Sequence, residues 1–400
     1  MWTSLSCAAL VGVAVVNLSL ARPLVELFYG PILLALFYLG AKLLVNRRDR
    51  ILLAAVFFLT TVGFVEIYRL NPDLAAKQLG WIALGILVLV VSARLRSYRW
   101  VERYKYLLGT AGLLLLAITI IFGREVGGAK AWLRIGSWQF EPVEIVKVLL
   151  VLFLAGYLQE NASLAFSRFF SLPAAGPVLL LWGLSLLLLF LQRDLGAALL
   201  LIGIFTIMLY LATGQGMLVG ASLLFCGIAA VLSTLLFPHV RTRIEIWLNP
   251  WDKLSSTGYQ IGQALFALAS GGLVGRGLAA GYPHFVPAAH TDFIFVAIAE
   301  ELGLLGAVAV LCGFLFLVAR GWQLAAQKED PLGFLLLAGL VSIFATQALI
   351  IVGGTIKVIP LTGITLPFVS YGGSSLVSNY LILGLILGIS SCQNEPRVLL

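Results

Sequence analysis

His290-Thr291-Asp292-Phe293-Ile294-Phe295, running on through Ala299-Glu300-Glu301-Leu302-Gly303, sets one acid at the mouth of an apolar run and two more inside it. An ionised acid near a bilayer centre costs ~2.5 kcal/mol or more, so acids kept there are functional candidates. Whether this run lies in lipid is decided by the rest of the chain. Of 400 residues, 61% are hydrophobic and 11% charged, and the mean hydropathy is +1.04. Soluble domains carry about twice that charge, so the excess apolar surface must face lipid. The fold class is therefore an all-α polytopic membrane protein. The first apolar run is followed closely by others and reads as a retained helix.

A span needs about 20 apolar residues. Candidate spans begin near residues 4, 25, 51, 78, 106, 143, 173, 195, 217, 292, 333 and 371, about twelve in all. Two short basic loops orient them. Arg47, Arg48 and Arg50 form the first, and Arg94, Arg96, Arg99, Arg103 and Lys105 the second. Lysine and arginine in short loops mark the cytoplasmic side. Both termini then fall in the cytoplasm, and three longer segments lie outside: Arg124–Glu141, the long loop of about 238–291, and about 355–370. Cys7, Cys226, Cys312 and Cys392 show no metal or disulfide spacing. The net charge of +8 is a weak pointer to anionic partners, and no nucleic-acid motif is present.

The external segments carry Arg124, Lys130, Arg134, Arg241, Arg243, Lys253, Arg276 and Lys357, which an anionic ligand would explain. In the first segment, Lys130 and Trp132 precede Pro142, Glu144 and Lys147. Glu144 and Lys147 share a helical face and can pair. Trp132 fits either an interfacial anchor or a substrate contact. Arg193 and Asp194, in the turn between two spans, can neutralise each other. In the long loop, residues 258–270 read as a short interfacial helix, with Trp247, Trp251 and Tyr259 at headgroup depth. Gly271, Gly272, Gly275 and Gly277 follow, and beside Arg241, Arg243 and Arg276 they suit a backbone cradle for phosphate. His284, His290 and Asp292 raise a metal question, but a zinc site needs tighter grouping. No cofactor is assigned; a divalent cation (Mg or Mn) bridging a carboxylate and a substrate phosphate stays a candidate. Asp292 and Glu300, eight residues apart on one helix, would be about 12 Å apart at 1.5 Å per residue. That separation is too long for a glycosidase-like carboxylate pair, so Glu300 reads as structural support and Asp292, by its position at the mouth, as the working acid. In the third segment, Pro360 and Pro367 forbid a regular span, and backbone of that kind must line protein or a cavity.

Taken in order, these motifs resemble the FtsW/RodA/SpoVE family of bacterial cell-wall membrane proteins. The matching residues are Gly128-Ala129 with Trp132; Pro142, Glu144 and Lys147; Asp194-Leu195-Gly196; Asn249-Pro250-Trp251; Gly258-Tyr259-Gln260; Ser270-Gly271-Gly272; His290 through Phe295; Glu300-Glu301-Leu302-Gly303; and Thr365-Leu366-Pro367 through Ser375. The family has ten spans, so residues 1–45 would form two extra transmembrane helices before a family core of 46–400. The resemblance implies a peptidoglycan glycosyltransferase in the bacterial cytoplasmic membrane. Such an enzyme polymerises lipid II into the nascent glycan strand at the outer face, in partnership with a class B penicillin-binding protein, a transpeptidase. It places the family's essential loop carboxylate on Asp292. Candidate substrate and pyrophosphate contacts are Arg241, Arg243, Arg276, Lys130, Trp132, Gln260, His290, Ser370 and Ser374; candidate supports are Glu144, Lys147, Asp194 and Glu300; the metal ligands are unknown. Departures include Ala288, where the family often has Glu. A lipid II flippase and a non-catalytic scaffold for the transpeptidase are the alternatives.

Overall fold

The computed structural model describes residues 2–44, 49–95, 97–126, 128–136, 138–161 and 172–392. Arg47, Arg48 and Arg96, used to orient the chain, and the C-terminal end lie outside the described residues.

Helices stand at every expected span position. They are α1 (Trp2–Ser19), α2 (Tyr29–Leu43), α3 (Arg50–Leu70), α4 (Pro72–Ser92), α5 (Trp100–Phe122), α6 (Val143–Asn161), α7 (Leu172–Leu191), α8 (Leu195–Thr213), α9 (Gly216–Leu236), α12 (Ile294–Ala326), α13 (Pro331–Thr355) and α14 (Gly373–Ser391). The long loop adds α10 (Pro238–Leu248) and α11 (Tyr259–Gly271). Among the described residues, nine helices are long and apolar enough to cross a membrane.

Local chemistry sets the helix ends. Asp49 accepts the amides of Ile51 (3.1 Å) and Leu52 (3.0 Å) at the start of α3. Asn71 does the same for Asp73 and Leu74 ahead of α4. Each supplies acceptors to amides that have no carbonyl within the helix. Gly214 ends α8 in the left-handed region at φ 70°, as glycine at that position permits.

The chain forms two compact units. The first comprises Met1–Val90, Leu232–Ala319 and Gln347–Leu381. It holds α1 to α4, the long loop and the segment joining α13 to α14. The second comprises Val91–Val231, Arg320–Thr346 and Ile382–Leu400. Burial separates enclosed helices from lipid-facing ones: α13 is 83% buried across its apolar window and α9 17%. Their mean hydropathies are close, 2.4 and 2.2, since hydropathy does not distinguish a lipid contact from a protein contact.

Two features go beyond the sequence reading. Arg124–Glu141, which carries no expected element, is largely an antiparallel sheet of β1 (Arg124–Val126), β2 (Ala129–Ile135) and β3 (Trp138–Phe140) in the order β1-β2-β3. Leu133 pairs with Phe140, and Ile135 with Trp138. Gly128 and Gly136 take the positive φ of its two turns.

The second feature is a break in α12. Gly303 has φ 69° and ψ −168° inside the helix, so the run splits after the two buried glutamates. The loop that follows α11 closes the break. Carbonyls of Gly272 and Leu273 accept the amides of Leu304 (2.9 Å) and Leu305 (3.2 Å), while Arg276 and Gly277 donate their amides to the carbonyls of Glu300 (3.0 Å) and Glu301 (2.9 Å). A Cβ on Gly275 or Gly303 would run into the other segment's backbone. The glycines of 271–277 are thus used for this close approach. The expected phosphate cradle is corrected: two of its amides are already spent on α12.

Candidate active site

Asp292 does not lie on α12. It sits in the turn just before Ile294, so the helical spacing between Asp292 and Glu300 does not apply. The turn is fixed from both sides. Phe293, fully buried, packs with Ala264, Ala267, Val286, Ala289 and Val296. On the other side, His290 accepts the amide of Tyr371 (2.9 Å), and Thr291 accepts the Ser370 hydroxyl (2.6 Å) through their carbonyls. Ser370 in turn accepts the Leu366 amide at 2.9 Å. Ala288 holds the base of the turn. Its backbone is left-handed at φ 55°, and its carbonyl accepts from the Thr291 and Phe293 amides.

The segment facing this turn is the irregular one predicted from its prolines. Several of its polar groups find partners within the protein, as irregular backbone facing protein requires. Gln347 donates to the Thr365 carbonyl (2.9 Å), Thr365 and Ser375 share a hydroxyl hydrogen bond (2.7 Å), and Gln78 donates to the Ser370 carbonyl (3.4 Å).

Arg243, on α10, reaches the same segment. Its guanidinium donates to the carbonyls of Leu361 (3.4 Å) and Thr362 (3.2 Å). Gly363 follows at φ 80°, and a Cβ there would lie 3.8 Å from Asp292 Oδ2 and 3.9 Å from Arg243 Nη2. Carboxylate and guanidinium therefore both face one small opening over a residue without a side chain. Burial raises the Asp292 pKa above that of a free aspartate, against the lowering effects of a Thr291 hydrogen bond and the Arg243 charge. A carboxylate so placed is a stronger base than one in water. Burial also lowers the His290 pKa, which favours the neutral ring near pH 7.

The other residues singled out from sequence are placed as follows. Arg241 is exposed and pairs with Glu245 at 3.0 Å; Lys253 pairs with the same carboxylate at 2.7 Å. These two cations hold the Glu245 pKa low, Lys253 first. Arg276 is exposed, its guanidinium 5.6 Å from the Tyr282 ring centre. Gln260 donates to the Pro287 carbonyl at 3.0 Å, bracing the residue before Ala288. Ser374 stands partly exposed in the first turn of α14. Trp251 and Tyr259 are exposed, whereas Trp247 donates its indole N–H to the Lys357 carbonyl at 3.1 Å.

Lys130, Trp132, Glu144, Lys147 and Asp194 belong to the second unit. Lys130 and Trp132 lie on β2, both partly exposed. Glu144 and Lys147 form a buried ion pair at the start of α6. Asp194 caps α8 through the Ala197 amide (3.0 Å), and Arg193 approaches Glu125 (3.8 Å). The Arg193 guanidinium faces Glu125 instead, and Asp194 serves the helix end through Oδ1.

A second cluster in the first unit escaped the sequence reading. Glu66 and Arg69 of α3 are buried with Glu300 and Glu301. Arg69 donates to Glu301 Oε1 and to the Gly281 carbonyl, both at 2.8 Å. Glu301 Oε2 accepts the Ala279 amide and Glu300 Oε1 the Tyr282 amide, both at 2.9 Å. The available signal was the three-residue spacing of Glu66 and Arg69 in an apolar run. Among the described residues, no three His, Cys, Asp or Glu side chains are grouped to hold a metal ion. One carboxylate beside a guanidinium does not make a protein-built divalent site.

Comparison with known proteins identifies the family. The family described as Cell cycle protein, FtsW/RodA/SpoVE, matches residues 42–395. A peptidoglycan glycosyltransferase RodA of Mycobacterium tuberculosis is 38% identical over 396 residues, covering 92% of this chain and 84% of that protein. A probable peptidoglycan glycosyltransferase FtsW of Thiomicrospira cyclica is 37% identical over 377 residues, covering 87% and 93%. A chain from a structural study of how a peptidoglycan synthase complex coordinates polymerization and crosslinking superposes with a TM-score of 0.72, at 32% identity, over 86% of this chain and 97% of that one. The chain belongs to the FtsW/RodA/SpoVE family of polytopic membrane proteins.

Proposed function

We propose that this chain is a membrane peptidoglycan glycosyltransferase that polymerises lipid II at the outer face of the cytoplasmic membrane. The observation that carries the reading is the half-buried Asp292, made more basic by burial and facing an opening shared with Arg243. In the proposed reaction, Asp292 removes the proton from the 4-hydroxyl of one lipid II's GlcNAc as that oxygen attacks C1 of the MurNAc at the end of the growing chain. The C1–O bond to undecaprenyl pyrophosphate breaks with inversion, and the pyrophosphate leaves with the bonding electron pair. The proton on Asp292 then passes to water.

Arg243 is placed to stabilise the leaving pyrophosphate, since a planar guanidinium donates in pairs to phosphate oxygens. Arg276 and Arg241, both exposed, serve as outer contacts for the same anion. A magnesium or manganese ion would have to take most of its ligands from the substrate's phosphates and water, and no step here depends on it. Family membership and the likeness to a chain of a peptidoglycan synthase complex support a class B penicillin-binding protein as partner. The basic short loops support cytoplasmic termini.

The broken α12 gives a flippase some support, because transporters bind cargo at broken helices. Here the break is closed by the 272–277 backbone, which leaves no free helix end for a ligand. One assay separates the readings: purified protein with labelled lipid II in detergent, analysed for glycan polymer. Polymer from wild-type and none from Asp292→Asn supports the glycosyltransferase. No polymer from wild-type leaves a flippase or a scaffold.

A further inference from the structure

The family match begins at residue 42, yet the preceding helices are built onto the core. Two backbone carbonyls at the end of α3 show why this matters. Tyr68 would normally receive the amide of residue 72, but that residue is proline and has no N–H. Arg69 would receive the amide of Asp73, but Asp73 donates to the Asn71 side chain. The turn that starts α4 therefore leaves both carbonyls without a helical donor. One residue from the N-terminal segment supplies both bonds: Arg22 donates to the Tyr68 carbonyl at 2.7 Å and to the Arg69 carbonyl at 2.9 Å. Its guanidinium also lies 4.8 Å from the Tyr68 ring centre. Asn17 donates to the Tyr68 hydroxyl (3.2 Å), which donates to Glu26 (3.0 Å).

The residue so held is the one that grips the long loop. Arg69 binds Glu301 and the Gly281 carbonyl, and Glu301 and Glu300 take the Ala279 and Tyr282 amides. The strap 276–285 leads within a few residues into the turn that carries Asp292. We propose that Arg22 is a positioning residue: by closing the end of α3 it holds Arg69 against Glu301 and Gly281, and so fixes the strap that leads into Asp292. The part of this inference that concerns turnover rests on the glycosyltransferase reading; the mechanical part does not.

The test uses the full chain in detergent and two readouts. Amide hydrogen exchange over residues 276–285 is compared in wild-type, Arg22→Ala and Arg22→Lys. Local opening governs such exchange, so Arg22→Ala is expected to speed it about ten-fold at Ala279 and Tyr282, with peptides of α8 unchanged. Arg22→Lys, a single ammonium in place of a fork, falls between. Unchanged protection of the strap in Arg22→Ala overturns the proposal, and so does a uniform rise that includes α8. The second readout is lipid II polymerisation per folded enzyme. Small misalignments are costly, so kcat is expected to fall about five-fold with KM within about two-fold. In a Glu301→Ala background, where the side-chain link is cut, Arg22→Ala should add little; an undiminished added loss counts against the link. If wild-type makes no polymer, the glycosyltransferase reading fails, while the exchange result still decides the mechanical link.

Discussion

Asp292 combines two demands that usually conflict: enough burial to raise its basicity and enough opening to meet a substrate. The turn meets both by burying Phe293 fully and leaving glycine at 363. Removing a general base typically costs 10²–10⁴-fold, so Asp292→Asn should lose at least about 10²-fold in polymerisation while remaining folded. Retained activity would remove Asp292 from the mechanism. Its raised pKa has a consequence for pH. Activity should fall with acidification through an apparent pKa above the ~3.9 of free aspartate; an acid limb at or below that value would contradict the burial argument. For stability the sign is reversed. A carboxyl whose folded pKa is raised contributes stability below its unfolded pKa, and that contribution is lost as pH rises through the folded value. At neutral pH the ionised Asp292 therefore opposes folding, and Asp292→Asn should melt higher than wild-type. Ala288 pays a different strain. Left-handed backbone costs a residue with a Cβ ~1–2 kcal/mol, so Ala288→Gly should raise the melting midpoint or leave it unchanged despite the looser unfolded chain. A clear fall would show that the methyl packs in a way the strain argument ignores.

At the scale of elements, the break in α12 sets the loop. Gly303 has positive φ and lies against the backbone of Gly275, so a side chain there meets both strain and a clash with backbone that cannot swing away. Gly303→Ala is expected to destabilise by at least ~2 kcal/mol, read as a lower detergent melting midpoint. An unaffected midpoint would mean that loop and helix can separate cheaply. The sequence displays the long α12 run plainly, but the glycine that breaks it looks like any glycine in an apolar helix. What breaks the helix is a second segment, some 30 residues earlier, that supplies alternative partners for the backbone at the gap. The small sheet escaped notice for a similar reason: its strands are short, and their pairing is a property of two turns rather than of one pattern.

At the scale of the molecule, composition demands lipid around the chain, and the helix bundle supplies the surface. Orientation follows from the basic short loops. With Ser255→Cys on the long loop and Gln327→Cys between α12 and α13, a membrane-impermeant maleimide on intact cells should label the first and not the second, above the background of the native cysteines. The reverse pattern would invert the topology and place the proposed site on the cytoplasmic side. By itself the sequence determined the class, the positions of the long apolar helices, the long loop and the identity of Asp292 as the acid to examine. All of these follow from local hydropathy, charge and motif order. The tertiary structure alone decided which charges meet. It paired Arg69 with Glu301, put Arg243 rather than Arg241 or Arg276 beside Asp292, and gave the Asp194 carboxylate to a helix end. These outcomes depend on contacts between distant segments, where one polar group competes with another for the same partner. A pattern along the chain carries no record of which of them wins.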